Sequence, residues 1–165
     1  MIILGVDPGS RFCGYGLLEI ESGKIIGAGC DVLKINQKHG FSGRLVDVHQ
    51  QLKGVIDEYK PELAVVESIF YGKNIKSAFT LGHIRGVILL VLAQSAIPTY
   101  EYSPREVKKA VTGNGNATKN QVRYMMQQIL KLKSLPSSED ASDALAVAFC
   151  HYNKTRFAKN LCSPI

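Results

Sequence analysis

The chain lacks the cysteine and histidine spacing that most structural metal sites need. Its four cysteines, at 13, 30, 150 and 162, include no C-x-x-C pair. That spacing argues against a zinc site, and the thiols are expected to be reduced, as in the cytoplasm. The four histidines, at 39, 49, 83 and 151, lack ligand spacing as well. Long apolar runs are missing: "GVILLVLA" (86–93) is too short to span a bilayer and reads as a buried helix. The opening "MIILGV" has neither the length nor the basic start of a signal peptide, so neither export nor membrane insertion is expected. No G-x-x-x-x-G-K-[ST] phosphate loop occurs, and no repeat or low-complexity tract.

What is present is an uneven charge. The net charge is +6, and residues 71–133 alone hold ten Lys/Arg against two Asp/Glu. Residues 1–70 hold seven against nine. A basic block of this kind suits a polyanion, nucleic acid being the common one.

The length of 165 residues suits one domain with one sizeable core. "MIILGVD" reads as a strand ending in the turn signal "DPGS". "CGYGLLEIES" and "GKIIGAGCDVLKI" read as two more strands, joined at Ser22-Gly23, which predicts an antiparallel meander. Helical spacing follows over 42–59, with Leu45, Val48, Leu52, Val55 and Ile56 as one stripe and Pro61 as the stop. "ELAVVES" is a short buried strand of parallel type. A long helix is expected over 76–95, a short strand in "PTYEYS", and a helix in "PREVKKAVTG" bounded by Pro104 and Gly113. "GNGNATKNQV" is a glycine-rich loop entering a helix through a Thr118/Gln121 capping box. It is either a simple turn or a cradle of amides for a phosphate beside Lys119. A last helix runs from about Ser138 past His151. The order predicts an α/β fold: a mixed sheet with helices on both faces.

Four carboxylates stand out. Asp7 and Glu67 end two strands, and sites in open α/β sheets lie beyond the carboxyl ends of strands. Asp140 and Asp143 share one face of an otherwise apolar helix, a face that continues through Val147 and Cys150. Taken singly, each has a plainer reading. Asp7 is also a turn former, Glu67 also a solvated strand end, and Asp140 also a first-turn partner of the helix dipole. Asp143 is the hardest to explain away, since a lone buried carboxylate is expensive. Two such charges ~4 Å apart cost about 4 kcal/mol at an effective dielectric of ~20. A hard divalent cation is the natural counter-charge, and Mg²⁺ suits a few carboxylates with phosphate oxygens. Two ions ~3.5–4 Å apart clamp both oxygens of a phosphodiester displacement.

"GVDPGSRFCGYG", "VVESIFYGKNIKSAFTLGHIRG" and "DASDALAVAF" resemble the RuvC family of crossover junction endodeoxyribonucleases, the bacterial Holliday junction resolvases. The resemblance covers nearly the whole chain. It implies a ribonuclease-H-like fold with a five-stranded mixed sheet: the meander plus two parallel strands, in a single domain over residues 1–165 whose last eight residues form a flexible tail. It also implies a cytoplasmic homodimer that uses Mg²⁺, two ions per site with Mn²⁺ as a substitute. Such a dimer nicks two like-polarity strands of a four-way junction, leaving 5′-phosphate and 3′-hydroxyl ends. A branch-migration helicase complex of the RuvA–RuvB type is the implied partner. By position the catalytic, metal-binding acids fall on Asp7, Glu67, Asp140 and Asp143, the aromatic wedge on Phe70, and DNA-contacting lysines on Lys108 and Lys119. Lys73, Lys76 and Arg85 are further phosphate contacts by charge. The chain departs from the family wording in "SIFYGKN" and at His83, where glutamine is usual, which bears on base preference rather than chemistry.

Three rivals stay open at this stage. A YqgF-type nuclease acting on ribosomal RNA precursors shares the strand-end aspartate and the late acid. One half of an actin-like ATPase shares the D-x-G turn. A non-catalytic junction binder needs the basic block without the acids.

Overall fold

Alternating and β-branched residues set the first three strands of the computed structural model, which describes residues 1–68, 75–134, 136, 138–157 and 164–165. Strands β1 (Ile2–Asp7), β2 (Phe12–Glu21) and β3 (Lys24–Lys34) form the antiparallel meander. Ser22 and Gly23 turn β2 into β3 with φ of 50° and 74°, the left-handed pair that a tight hairpin requires. Helix α1 (Phe41–Tyr59) buries Val48, Leu52, Val55 and Ile56. It ends at left-handed Lys60, directly before Pro61.

Strand β4 (Leu63–Glu67) runs parallel to β1, and β5 (Thr99–Tyr102) parallel to β4. The sheet order is β3-β2-β1-β4-β5. Between β4 and β5 the chain crosses over through α2 (Ile75–Gln94). The sheet's central strand, β1, is buried through residues 3–6 because both of its faces are covered.

Helices α1 and α2 pack on one face, with Leu4, Val6, Ala64 and Val66 beneath them. On the other face lies α5 (Glu139–Phe157), and α3 (Pro104–Thr112) and α4 (Lys119–Leu130) pack against it in turn. Helix α5 is therefore enclosed by the sheet on one side and by helices on the other. That explains why it is apolar all round. His151 is buried in it, 3.0 Å by Nδ1 from the Tyr102 hydroxyl and with its ring tilted against that of Tyr100 at 4.4 Å between centroids. Capping boxes open both α3 (Ser103/Glu106) and α4 (Thr118/Gln121).

Three glycines fix how α5 sits. Gly5 on β1 pairs directly with Gly16 on β2, and Gly14 is two residues away on the same face. A Cβ on Gly5 would lie 2.1 Å from the Ala144 carbonyl oxygen, and one on Gly14 only 1.9 Å from that of Asp140. A Cβ on Gly16 would lie 2.5 Å from the Leu145 Cα. The helix backbone thus lies directly on the sheet backbone, and its first turn cannot rise away from the end of β1.

One expectation changes here, and one open alternative closes. Helix α2 is not simply buried. It is long and apolar enough by length and composition to cross a bilayer. It buries Ile84, Ile88, Val91 and Leu92 but leaves Ile75, Phe79 and Leu90 exposed. The run 86–93 mixes the buried Ile88, Val91 and Leu92 with the exposed Leu90, because apolar residues on a helix's two sides look the same in one dimension. The glycine-rich loop is a turn, not a cradle. The Asn114 amide donates to Thr112 Oγ1 and the Asn116 amide to Asn114 Oδ1. The Ala117 amide goes to the Asn114 carbonyl and the Thr118 amide to Gln121 Oε1, so the loop's own atoms take the donors a phosphate would need. The expected tail falls mostly on 158–163, outside the described residues, and the Ile165 amide donates to the Thr99 carbonyl.

Candidate active site

Parallel pairing brings the first two acids together. Val6 is in register with Val66, so Asp7 and Glu67 are the next residues on adjacent strands, at their carboxyl ends. Both lie on the sheet face that carries α5, because Ile3 and Val65, in phase with them, pack into that core. Their carboxyls lie close enough for one to hold a proton against the other. Two acids this close share a proton, and burial makes holding it favourable.

The last helix adds Asp143. Its face continues through Val147 and Cys150, both fully buried, which aims the carboxylate inward as its spacing implied. Asp7, Glu67 and Asp143 line one cavity of about 230 Å³ together with Lys108, Lys119, Pro104, Val107 and Val122. Asp140 is one turn nearer the helix start and is not among the lining residues. It stands at the margin, half-buried, close enough for its charge to act on Asp7. The four acids thus converge, with three facing the cavity and one beside it.

The electrostatics are those of an under-neutralised anionic pocket. Asp7 is raised well above the usual carboxylate range, first by burial and then by the charges of Glu67, Asp143 and Asp140. Glu67 is pushed up to about 7, by burial and then by Asp143. Asp140 is raised too, chiefly by burial. Lys119 opposes all three shifts. Its ammonium donates to Asp143 Oδ2 at 2.7 Å and lies 3.9 Å from Glu139. Burial alone would lower the Lys119 pKa, but the bond to Asp143 and the surrounding acids raise it. The capping box at Thr118 positions this lysine, since it fixes where α4 begins.

Among the described residues, no three His, Cys, Asp or Glu side chains are drawn into a ready-made ion cage. The donor set nevertheless suits a hard cation. It is all oxygen, it faces a cavity, and the mutual repulsion that raises Asp7 and Glu67 is what a divalent ion relieves. Lys119 supplies part of that counter-charge where it stands.

The basic residues expected at DNA separate into groups. Lys108 and Lys119 line the acid cavity. Lys76 is exposed in the first turn of α2. Arg85 is engaged inside the protein: it pairs with Glu101 at 2.7 Å. Phe70 and Lys73 fall outside the described residues. Sequence reading missed the Gly5, Gly14 and Gly16 platform. Its signal was there in "CGYG", two glycines at strand spacing on a buried strand, where a side chain is normally wanted.

Comparison with known proteins gives a consistent result. The family model for RuvC, crossover junction endodeoxyribonuclease RuvC, matches residues 3–151. The crossover junction endodeoxyribonuclease RuvC of Petrotoga mobilis is 42% identical over 160 residues, covering 97% of this chain and 98% of that protein. That of Pseudothermotoga lettingae is 41% identical over 151 residues, covering 92% and 93%. Among solved structures, Thermus thermophilus RuvC in complex with a Holliday junction substrate aligns with a TM-score of 0.89 and 29% identity, covering 100% of this chain and 99% of the other. The yeast mitochondrial Holliday junction resolvase Ydc2 aligns with a TM-score of 0.65 at 11% identity over 93% of this chain and 79% of its own, a likeness of fold alone.

Proposed function

The chain belongs to the RuvC family of crossover junction endodeoxyribonucleases, and from that premise we propose that it resolves four-way DNA junctions by paired, metal-dependent phosphodiester hydrolysis. The observation that carries this reading is the convergence of Asp7, Glu67 and Asp143 on one cavity, with Asp140 at its margin and Lys108 and Lys119 in its wall. A non-catalytic binder has no use for acids that repel one another in its core. The YqgF alternative loses ground because the family that matches over 3–151 is RuvC. An actin-like ATPase half loses it for the same reason.

Asp7, Glu67, Asp140 and Asp143 are the residues that would hold the metal, with Mg²⁺ favoured for an all-oxygen set and Mn²⁺ as a substitute. When bound, such ions activate water and neutralise charge on the phosphate. The chain's own part is positional. Asp7 and Glu67 are anchored by strand register, and Asp143 by α5 pressed onto the glycine platform. Lys108 and Lys119 place positive charge where the scissile phosphate enters. Lys119 must leave Asp143 or share it as substrate arrives. Lys76, in the first turn of α2, adds a phosphate contact, and Phe70 and Lys73, earlier in the sequence, are the further residues assigned to the junction. The products carry 5′-phosphate and 3′-hydroxyl ends, and the enzyme acts in the cytoplasm, beside a branch-migration helicase. The expected result is two symmetric nicks in an immobile four-way junction with Mg²⁺ and none in EDTA, read on a denaturing gel. Equal cutting of linear duplex or structured RNA overturns the assignment.

A two-fold dimer fits a near-two-fold junction. The face that fits a second copy is the open side of α2. Ala78, Gly82 and Gly86 repeat every fourth residue along a groove of about 940 Å³ bounded by Ile75, Phe79 and Leu90. Added Cβ atoms on Gly82 and Gly86 would meet nothing within 4 Å, so these glycines do not serve packing within the chain. Phe79 and Leu90 are 66% and 52% exposed, an apolar stripe that is costly in water. The double substitution Phe79→Glu, Leu90→Glu is expected to give a monomer by sedimentation and to convert paired nicks into single ones. A dimer that persists rules this face out.

A further inference from the structure

The outer edge of β3 and the groove beside it form a second surface. Tyr15, Leu17 and Glu19 on β2 stand opposite Asp31, Gly29 and Gly27 on β3, all on the α1 side of the sheet. Helix α1 covers the sheet's centre and leaves this margin open. A groove of about 530 Å³ results, floored by Gly27 and Gly29 and walled by Tyr15 and by Tyr59 at the end of α1. Its lining contains Glu19 and Asp31 and no basic residue. Glu58, beside Tyr59, adds negative charge near the wall and raises the Tyr59 hydroxyl. Burial, then the charge of Asp31, holds the Tyr15 hydroxyl above its usual range. Two aromatic rings with carboxylates around them match a guanidinium or ammonium group on a long aliphatic stem.

The groove adjoins an unpaired strand edge. β3 is eleven residues long and lies at the end of the sheet order. Its last turn of edge is closed within the chain: Gln51 bonds both the amide and the carbonyl of Lys34, at 3.0 Å each, and Asp31 takes the Val32 amide. By the two-residue repeat of the ladder, the same edge continues through Cys30 and Ala28. Among the described residues, no side chain takes their backbone groups. On the far side of the sheet Ile25, Ala28 and Cys30 offer a partly buried apolar surface.

We propose that this edge docks an extended segment of a partner protein in which basic and apolar residues alternate, adding a sixth strand to the sheet. Its basic side chains enter the Tyr15/Tyr59 groove and its apolar ones cover Ala28 and Cys30. Backbone pairing supplies adhesion and the groove supplies selectivity. The groove is on the opposite sheet face from Asp7 and Glu67, so docking and junction binding do not compete for space. The +8 block at 71–133 is committed to DNA in the function proposed above, whereas residues 1–70 carry an acidic excess suited to a basic partner.

The probe is an end-blocked octapeptide of alternating arginine and valine, titrated into the full-length ¹⁵N-labelled protein. The expected amide shifts fall on residues 27–31, Tyr15 and Tyr59. Gly29→Val fills the floor where an added Cβ meets nothing within 4 Å, and is expected to weaken binding at least tenfold. Asp31→Asn, an exposed change that leaves the fold alone, is expected to weaken it three- to tenfold, which keeps the test valid should Gly29→Val misfold. A glutamate-for-arginine peptide is expected not to bind. Shifts confined to Asp7, Glu67 and Asp143 would mean that the peptide merely seeks the acid cavity, and would overturn the proposal. So would shifts at 27–31 that appear on concentrating the protein alone, which would make a second copy the occupant. Junction cutting is unaffected in either variant, so this test fails or succeeds separately from the resolvase reading.

Discussion

Asp7→Asn is expected to leave four-way junction binding intact and to lower the nicking rate by more than about 10³-fold. The same substitution is expected to raise the melting temperature of the protein in EDTA. The loss of cutting follows from position: Asp7 is the acid on which the charges of Glu67, Asp143 and Asp140 all act. Binding survives because phosphate contacts come from lysines, and removing one negative charge from the cavity can only favour a polyanion. The gain in stability has a separate cause. Asp7 is raised by burial and by three neighbouring acids, so its ionised form is held in the folded state at a cost. Asparagine is nearly isosteric, and its amide can donate to the Glu67 carboxyl close beside it. Anisotropy on a labelled immobile junction, a denaturing gel and a thermal melt give the three readings. Cutting within tenfold of the parent would remove Asp7 from the chemistry.

The strands, helices and capping signals were legible because each rests on local chemistry. Ser22-Gly23 announced its turn, and Pro61, Pro104 and Gly113 marked helix limits that the structure keeps. The acids were legible because two fell at strand ends and one sat on an apolar helix face. What escaped depends on which neighbour arrives from elsewhere in the chain. Arg85 reads as a free cation until Glu101 on β5 is beside it. The 113–118 loop reads as either a turn or a cradle of amides until Asn114 and Thr112 fold onto it. Leu90 reads as core until α2 is seen to have only one side against the sheet. The glycine platform is the same case reversed: an absence of side chains has meaning only once α5 is laid on it.

Two buried groups give the protein opposing responses to acid, and the prediction is that Glu67→Gln unmasks one of them. Glu67 has a folded pKa of about 7 against an unfolded value of 4.5. The folded state therefore binds more protons between those values, so this group's penalty is absent below pH 4.5 and grows to its full size above pH 7. A difference of that size corresponds to about 3 kcal/mol. His151 runs the other way. Burial beside Tyr100 and Tyr102 lowers it from 6.5 to about 4, so the unfolded state binds the proton first and stability is lost as pH falls through that window. In EDTA, relief at the raised acids Glu67 and Asp7 works against the loss at His151 as the pH of the parent falls. Glu67→Gln removes the Glu67 part of that relief. At pH 8 the variant is expected to melt about 6–12 °C above the parent, by the usual conversion for a domain of this size. On acidification toward pH 5 that margin is expected to shrink, because the parent gains relief at Glu67 that the variant no longer has to gain. A variant less stable than the parent at pH 8 would show that Glu67 is not held at a cost, and the anionic pocket would then need no cation to explain it.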